Sequence, residues 1–224
     1  ALCPAALPLH AVAEEENVIY YIEPELPSDV EPYDPEHPED LYEDQLYAKS
    51  AILIEASSGE VIFEKNADAT MYPASTTKIM TFIIVSEQIQ DLDNTQVTVT
   101  KEVVDQLLGT GSSLSGIKEG DVLTVMQLLN CMMVPSGNDA ALVLADYVSN
   151  GNVAAFVELM NQKAQELGME NSHFVNACGK DAEGHMVTVR DMATLARYAC
   201  QYDLLFTIAQ IGKTTRTTVN GEKI

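Results

Sequence analysis

Basic residues are scarce in this sequence, since twelve Lys and Arg stand against 34 Asp and Glu, giving a net charge of −22. That charge repels phosphate backbones and anionic membrane surfaces, which excludes nucleic acid as a partner. No apolar run reaches the roughly 18–20 residues that a membrane-spanning helix needs. The 224 residues are 46% hydrophobic, enough to fill a sizeable core. The sequence therefore predicts a globular protein.

Cysteine is also rare, with four residues, and the first of them, Cys3, lies in an apolar, uncharged start. Residues 1–13 end in a small-x-small pattern, and we interpret them as the remnant of a secretory signal peptide. Export would leave Cys131, Cys178 and Cys200, whose spacings of 47 and 22 residues match no metal knuckle or redox pair. Their odd number argues against a full disulfide framework, so we expect buried free thiols.

Lys and Arg are absent from residues 14–44, which carry thirteen acidic residues and five of the nine prolines. Glu-Pro and Asp-Pro pairs disfavour both helices and strand pairing. We therefore interpret residues 14–47 as an extended acidic linker and residues 48–224 as the folded domain.

The folded domain opens with patterns of a hairpin, a buried helix and a loop. Residues 51–55 and 61–63 flank a Ser-Ser-Gly turn and predict two paired strands. Residues 75–89 are apolar nearly all round after the first turn, which predicts a helix inside the core. Residues 109–120 are rich in Gly and Ser and predict a loop.

Capping residues predict three further helices and one further turn. A capping box at Thr124 and Gln127, an N-cap at Asn152 with a stop at Gly168, and an N-cap at Thr188 mark the helices. Asn220-Gly221 predicts a hairpin turn close to the last residue.

Ser75 and Lys78 carry the clearest chemical signal. Residues three apart on a helix share a face, so the hydroxyl and the amine are predicted to meet. A serine nucleophile needs an adjacent base, and a lysine serves when burial or positive potential favours its neutral form. The N-terminus of a buried helix supplies both conditions.

A second copy of the spacing, Ser115 and Lys118, provides an internal control. It lies between glycines in the predicted loop, where nothing fixes the two side chains on one face. We interpret Lys118 as an ordinary loop lysine.

A second chemical element is Ser136-Gly-Asn138, between two predicted helices. Ser136 is suited to relay a proton, and the carboxamide of Asn138 is suited to orient the lysine or hold a substrate amide. Local pattern alone favours an ordinary turn in which Asn138 or Asp139 is an N-cap.

Together and in order, these elements resemble the D-alanyl-D-alanine carboxypeptidases, the low-molecular-mass penicillin-binding proteins. Ser-x-x-Lys, Ser-Asp-Asn and Lys-Thr-Gly are the signature of the wider group of penicillin-binding proteins and class A β-lactamases. The similar segments are Tyr72-Pro-Ala-Ser-Thr-Thr-Lys-Ile-Met-Thr81, Gly111-Ser-Ser-Leu114, Pro135-Ser-Gly-Asn-Asp-Ala140, Ser172-His-Phe174 and Arg190-Asp-Met192.

The resemblance implies a role for each site residue. Ser75 would be the acylated nucleophile, Lys78 its base, Ser136 the proton relay and Asn138 a ligand of the substrate amide. The enzyme would be a serine peptidase that removes the terminal D-alanine from peptidoglycan stem pentapeptides during cell-wall synthesis. β-Lactams would trap Ser75 covalently, and no metal or organic cofactor is implied. A bacterial, secreted or envelope-associated location follows.

The resemblance also implies an α+β fold, with an antiparallel five-stranded sheet flanked by helices and a helical lobe. The Lys-Thr-Gly strand is not found, and Lys213-Thr214-Thr215 lacks the glycine. We therefore expect the domain to be incomplete before that motif, any membrane association to reside in a missing C-terminal region, and this fragment alone to be inactive. Cys178 and Lys180 also replace residues that are usual in the family.

Two other functions stay open at this stage. A non-catalytic penicillin-sensing or wall-binding module would keep Ser75 and Lys78 without turnover. A class A β-lactamase would need a deacylating Glu four residues before an Asn, whereas Glu166 precedes Asn171 by five.

Overall fold

The computed structural model describes residues 10–14, 17–21, 46–107, 109–212, 217–221 and 223, in two compact units, Ala1–Lys49 and Ser50–Ile224. In the first unit, strand β1 (His10–Glu14) pairs antiparallel with β2 (Asn17–Tyr21). β2 consists largely of the β-branched and aromatic residues that favour strands. This hairpin crosses the boundary expected at residue 13, and residues 17–21 differ from the extended linker that we predicted. Residues 22–45, which hold the prolines, lie outside the described residues.

The second unit opens with the predicted hairpin, which the structure confirms. Strands β3 (Ala51–Ile54) and β4 (Val61–Lys65) pair antiparallel. In the turn between them, the Glu55 carboxylate accepts hydrogen bonds from the backbone N–H groups of Ser57 and Ser58. Gly59 follows at φ +80°, a conformation that glycine adopts without steric cost.

The predicted buried helix is α1 (Thr77–Gln88), preceded by a short 3₁₀ turn, Ala74–Thr76. Met80, Phe82 and Val85 on this helix are fully buried. This helix contacts four other helices of the unit, which cover its apolar surface. Its N-terminal turn is thereby held at a fixed place in the core.

A helical lobe packs against α1. It contains α2 (Lys101–Asp105), α3 (Val125–Met133), α4 (Asn138–Val148) and α5 (Val153–Glu166), with the strand pair β5 (Gln96–Thr98) and β6 (Val122–Thr124) beside them. Both halves of the predicted capping box form between Thr124 and Gln127. Asn152 accepts from the N–H of Ala155 at the start of α5. These starts of α3 and α5 confirm the predicted caps.

Helix α6 (Val189–Ala199) begins at the predicted cap, where the Thr188 hydroxyl accepts from the N–H of Asp191. It packs on β3, and α7 (Asp203–Ala209) follows it. The sequence did not predict α2, α7, β5 or β6. These elements are short, and neither α2 nor α7 has a side-chain N-cap, so the local signal is weak.

The described residues form an α+β fold, as predicted, and their strands form three separate antiparallel pairs. Thr217 and Lys223 form an antiparallel bridge around the predicted Asn220-Gly221 turn. No single helix in the described ranges is long and apolar enough to cross a membrane, and α4 and α5 pass that test only as a pair bent by 92°.

The free thiols agree with the prediction in two of three cases. Among the described residues, Cys131 and Cys178 are buried thiols outside any disulfide, whereas the Cys200 thiol is exposed, so the expectation of burial was wrong for Cys200. Cys200 is the first residue after α6, at the C-cap position of the helix.

Candidate active site

Ser75 lies on the 3₁₀ turn and Lys78 lies in the first turn of α1. Side chains three residues apart eclipse in a 3₁₀ turn, which brings the two groups together as predicted, although Ser75 itself precedes the α-helix. The hydroxyl of Thr76 donates to the carbonyl of Pro73 and closes the turn. Ala74 has φ +46°, a costly conformation for a residue with a side chain. Such strain is concentrated at functional sites.

Three side chains meet at the turn. Lys78 Nζ lies 3.1 Å from Ser75 Oγ, and the hydroxyl of Ser136 donates to Ser75 Oγ at 2.9 Å. Ser136 is 61 residues away in the chain and lies in the loop between α3 and α4. The Ser75 hydroxyl therefore has an amine on one side and a second hydroxyl on the other.

Lys78 is buried, with 2% of its surface exposed. Its ammonium donates to the backbone carbonyl of Cys178 at 2.7 Å. Burial lowers the pKa of Lys78, and electrostatic interactions with Cys178 and Asp139 oppose that change. A lowered pKa makes the neutral amine accessible, which is the form that can accept a proton from a neighbouring hydroxyl.

Because this contact uses the main-chain oxygen of Cys178, the residue type at position 178 does not decide it. The departure from the family at Cys178 therefore leaves the Lys78 contact intact. Lys180, the other departure, is exposed two residues further along the same loop.

The Ser136 loop is held by close packing and by a backbone hydrogen bond to loop 109–120. Ser136 has φ +60°, the second strained residue at the site. A Cβ on Gly137 would lie 2.6 Å from the Cys131 carbonyl oxygen, so only glycine fits there. The N–H of Asn138 donates to the carbonyl of Ser113 at 2.8 Å. Loop 109–120 thus lies against the start of α4.

Asn138 is the first residue of α4 and has 8% of its surface exposed. Within the described part of the chain, its carboxamide makes no hydrogen bond, and no contact joins it to Lys78. An unengaged amide beside Ser136 is suited to bind a substrate amide. The alternative in which Asn138 or Asp139 caps α4 is wrong, because the cap position is Gly137 and no side chain caps this helix.

Sequence reasoning missed the loop that holds Lys78. The side-chain oxygen of Asn176 accepts from the backbone N–H groups of Cys178, Gly179 and Lys180, and its Nδ2 donates to the carbonyl of Lys180. This side chain fixes the turn that directs the Cys178 carbonyl at Lys78. An Asn three residues before a Gly is a local turn signal that the sequence contained.

The second Ser-x-x-Lys copy and the β-lactamase signal are not part of this site. Lys118 is exposed in the loop, as predicted. Glu166 is the last residue of α5, is 63% exposed and pairs with Lys163 at 2.9 Å. Lys213-Thr214-Thr215 lies outside the described residues.

Sequence comparisons agree with this geometry. A family model described as D-alanyl-D-alanine carboxypeptidase matches residues 36–224. The D-alanyl-D-alanine carboxypeptidase DacF of Bacillus subtilis is 37% identical over 158 residues, which cover 70% of this chain and 40% of that protein. DacC of Escherichia coli is 39% identical over 156 residues, covering 67% of this chain and 38% of that protein. The chain thus spans about 40% of the length of these curated relatives.

Solved structures give the same result. The Streptomyces K15 DD-transpeptidase superimposes with a TM-score of 0.72 at 32% identity, covering 77% of this chain and 68% of that one. The carboxypeptidase DacD of Francisella tularensis superimposes with a TM-score of 0.70 at 32% identity, covering 80% of this chain and 43% of that one. The site geometry, the family match and these relatives together show that the chain belongs to the D-alanyl-D-alanine carboxypeptidase family.

Proposed function

We propose that the protein is a serine-type D-Ala-D-Ala carboxypeptidase that acts on peptidoglycan stem pentapeptides. The observation that carries this proposal is the contact of Ser75 Oγ with both Lys78 Nζ and Ser136 Oγ. The named relatives support the substrate class.

In the acylation step, neutral Lys78 takes the proton of Ser75 as Ser75 Oγ attacks the carbonyl of the penultimate D-alanine. The backbone N–H of Ser75, at the positive end of α1, is placed to stabilise the oxyanion that forms. The bond to the terminal D-alanine then breaks, and Ser136 passes a proton from Lys78 to the leaving amine. Asn138 holds the substrate amide.

In the second step, water attacks the ester carbonyl, the bond to Ser75 Oγ breaks, and Ser75 regains its proton. The products are a shortened stem peptide and free D-alanine. A β-lactam would acylate Ser75 in the same way, because its strained amide replaces the scissile one. Because its proposed substrate belongs to the bacterial cell wall, we propose that the enzyme acts outside the cytoplasm, in the envelope or secreted.

The test measures D-alanine release from a synthetic stem pentapeptide by the full-length protein. We expect release of the terminal D-alanine from a peptide ending in D-Ala-D-Ala, and no release of the terminal L-alanine from the matched peptide ending in D-Ala-L-Ala, for which L-alanine is measured. Stable labelling by a fluorescent penicillin without any D-alanine release would instead indicate a penicillin sensor. Absence of both would refute the proposal.

A further inference from the structure

His185 is a buried histidine that the reaction steps above do not use. None of its surface is exposed. The backbone N–H of Val175 lies 2.8 Å from its Nδ1, and the hydroxyl oxygen of Thr77 lies 2.9 Å from its Nε2. The ring therefore joins the loop before the Cys178 turn to the first turn of α1.

These two partners assign the protonation state of the ring. A backbone N–H only donates, so Nδ1 must be the unprotonated acceptor. A neutral imidazole then carries its proton on Nε2 and donates it to Thr77 Oγ1. The network thus requires the neutral Nε2–H tautomer, with both ring nitrogens engaged.

Thr77 is one of three neighbouring α1 side chains that hold the same loop. Lys78 donates to the carbonyl of Cys178 at 2.7 Å, and the hydroxyl of Thr81 donates to the carbonyl of Ala177 at 2.7 Å. All three α1 side chains are buried. The position of the Cys178 carbonyl, and with it the direction of the Lys78 amine, depends on this three-point attachment.

We propose that neutral His185 is a positioning residue for acylation, because it fixes the loop whose Cys178 carbonyl orients Lys78 toward Ser75. This inference rests on the proposed function. When one N–H of the neutral Lys78 amine donates to the Cys178 carbonyl, the other N–H and the lone pair of the amine are directed toward Ser75 Oγ. Loss of the loop attachment would leave the pair misaligned without removing either residue.

Protonation of His185 would break the attachment. A proton on Nδ1 would face the N–H of Val175, so two donors would oppose each other. Burial lowers the pKa of His185, the nearby His173 lowers it further, and Asp181 raises it. On α1 the ring meets the uncharged hydroxyl of Thr77, and on its own loop it meets the edge of Phe174, with ring centroids 5.9 Å apart. The ring therefore stays neutral even when the pH falls below about 6.5, the ordinary pKa of histidine.

The experiment uses the full-length protein and measures single-turnover acylation by a fluorescent penicillin between pH 5 and 8.5. Thr77→Val removes the hydroxyl that accepts from His185, whereas Thr77→Ser keeps it. We expect Thr77→Val to lower the acylation rate constant about 10- to 100-fold with non-covalent penicillin affinity unchanged, and Thr77→Ser to restore the rate. His173→Gln removes the other nearby histidine and should leave the rate at pH 7.5 unchanged.

A direct measurement accompanies the kinetics. In the wild type, ¹⁵N resonances of His185 should show an unprotonated Nδ1 and a protonated Nε2 at pH 7, and acylation should fall as that ring titrates. An Nδ1–H tautomer, or equal acylation by Thr77→Val and Thr77→Ser, would overturn the role of His185. A wild type that is not acylated at all would instead refute the proposed function.

Discussion

Ser115 donates its backbone N–H to both carboxylate oxygens of Asp139, each at 3.0 Å, and its hydroxyl to one of them at 3.0 Å. The N–H of Gly116 reaches the same carboxylate at 3.1 Å. Asp139 is buried, so these bonds attach loop 109–120 to α4 beside Ser136. The hydroxyl of the second Ser-x-x-Lys copy is therefore a structural donor.

The two serines give a matched pair of variants. Ser75→Ala should abolish covalent labelling by a fluorescent penicillin, because it removes the attacking oxygen. Ser115→Ala should keep labelling and lower the free energy of unfolding by about 1 kcal/mol, since one hydrogen bond is lost. Gel fluorescence after brief exposure to the penicillin checks the first effect, and urea unfolding checks the second. Labelling of Ser75→Ala but not of Ser115→Ala would mean that Ser115, and not Ser75, is the nucleophile.

Lys78→Arg should reduce acylation by at least about 10²-fold, because a guanidinium does not give up a proton near neutral pH. The charge and a hydrogen-bond donor remain, so the change isolates the role of the base. Lys163→Arg is the control, since this lysine pairs with Glu87 and Glu166 away from the site. Rapid-mixing kinetics with a penicillin measure both. A near-normal rate for Lys78→Arg would remove Lys78 as the base.

The lowered pKa of Lys78 also predicts how stability depends on pH. Between the folded-state pKa and the ordinary value of 10.5, the unfolded chain binds the extra proton, so stability rises with pH across that window. Lys78→Met removes this titration. The stability of Lys78→Met relative to the wild type should therefore decline as pH rises toward 10.5. Urea unfolding at several pH values measures this, and a constant difference would contradict it.

Asp139→Asn tests the carboxylate that attaches loop 109–120. An amide offers one acceptor oxygen where the carboxylate accepted bonds on two, so we expect a loss of about 2 kcal/mol of unfolding free energy. Removing the negative charge also lowers the pKa of Lys78 further, because Asp139 acts to raise it. The acid limb of acylation should therefore move to lower pH, while the maximal rate falls.

Asp105→Asn is the matched control for that variant. Asp105 pairs with Lys101 on an exposed face of α2. Exposed i,i+4 pairs contribute about 0.3–0.5 kcal/mol, and Asp105 is not among the groups that shift the pKa of Lys78. We expect unchanged acylation kinetics. An acid limb that does not move in Asp139→Asn would show that its charge does not act on Lys78.

The parts of the site that were predictable are those encoded locally. Ser75 and Lys78 are three residues apart, and the caps at Thr124 and Asn152 are each read from four residues. By contrast, the Lys78 contact with Cys178 joins residues 100 apart, and the Thr77 contact with His185 joins residues 108 apart. Such pairings are set by how α1 packs in the core, and no local pattern specifies them. Short helices without side-chain caps, such as α7, were missed for a related reason, since packing rather than a local sequence signal stabilises them.

Gly179 lies against the backbone of Ala74 and Ser75, the proposed nucleophile. A Cβ at this position would lie 1.8 Å from the Ala74 carbonyl oxygen and 3.1 Å from the Ser75 nitrogen, and its φ is +86°. Both the contact and the conformation exclude a side chain. Gly179→Ala must therefore displace either the Ser75 turn or the loop that carries the Cys178 carbonyl. Acylation by a fluorescent penicillin should fall at least about 10²-fold, because a displacement near 1 Å is enough for that loss. Gly168→Ala is the control: its φ of +76° is also positive, but a Cβ there would meet no atom within 4 Å. It should cost stability through backbone strain while keeping acylation within a few-fold of the wild type. Equal losses of acylation in the two variants would show that positive φ alone matters, and that Gly179 has no specific role beside the nucleophile.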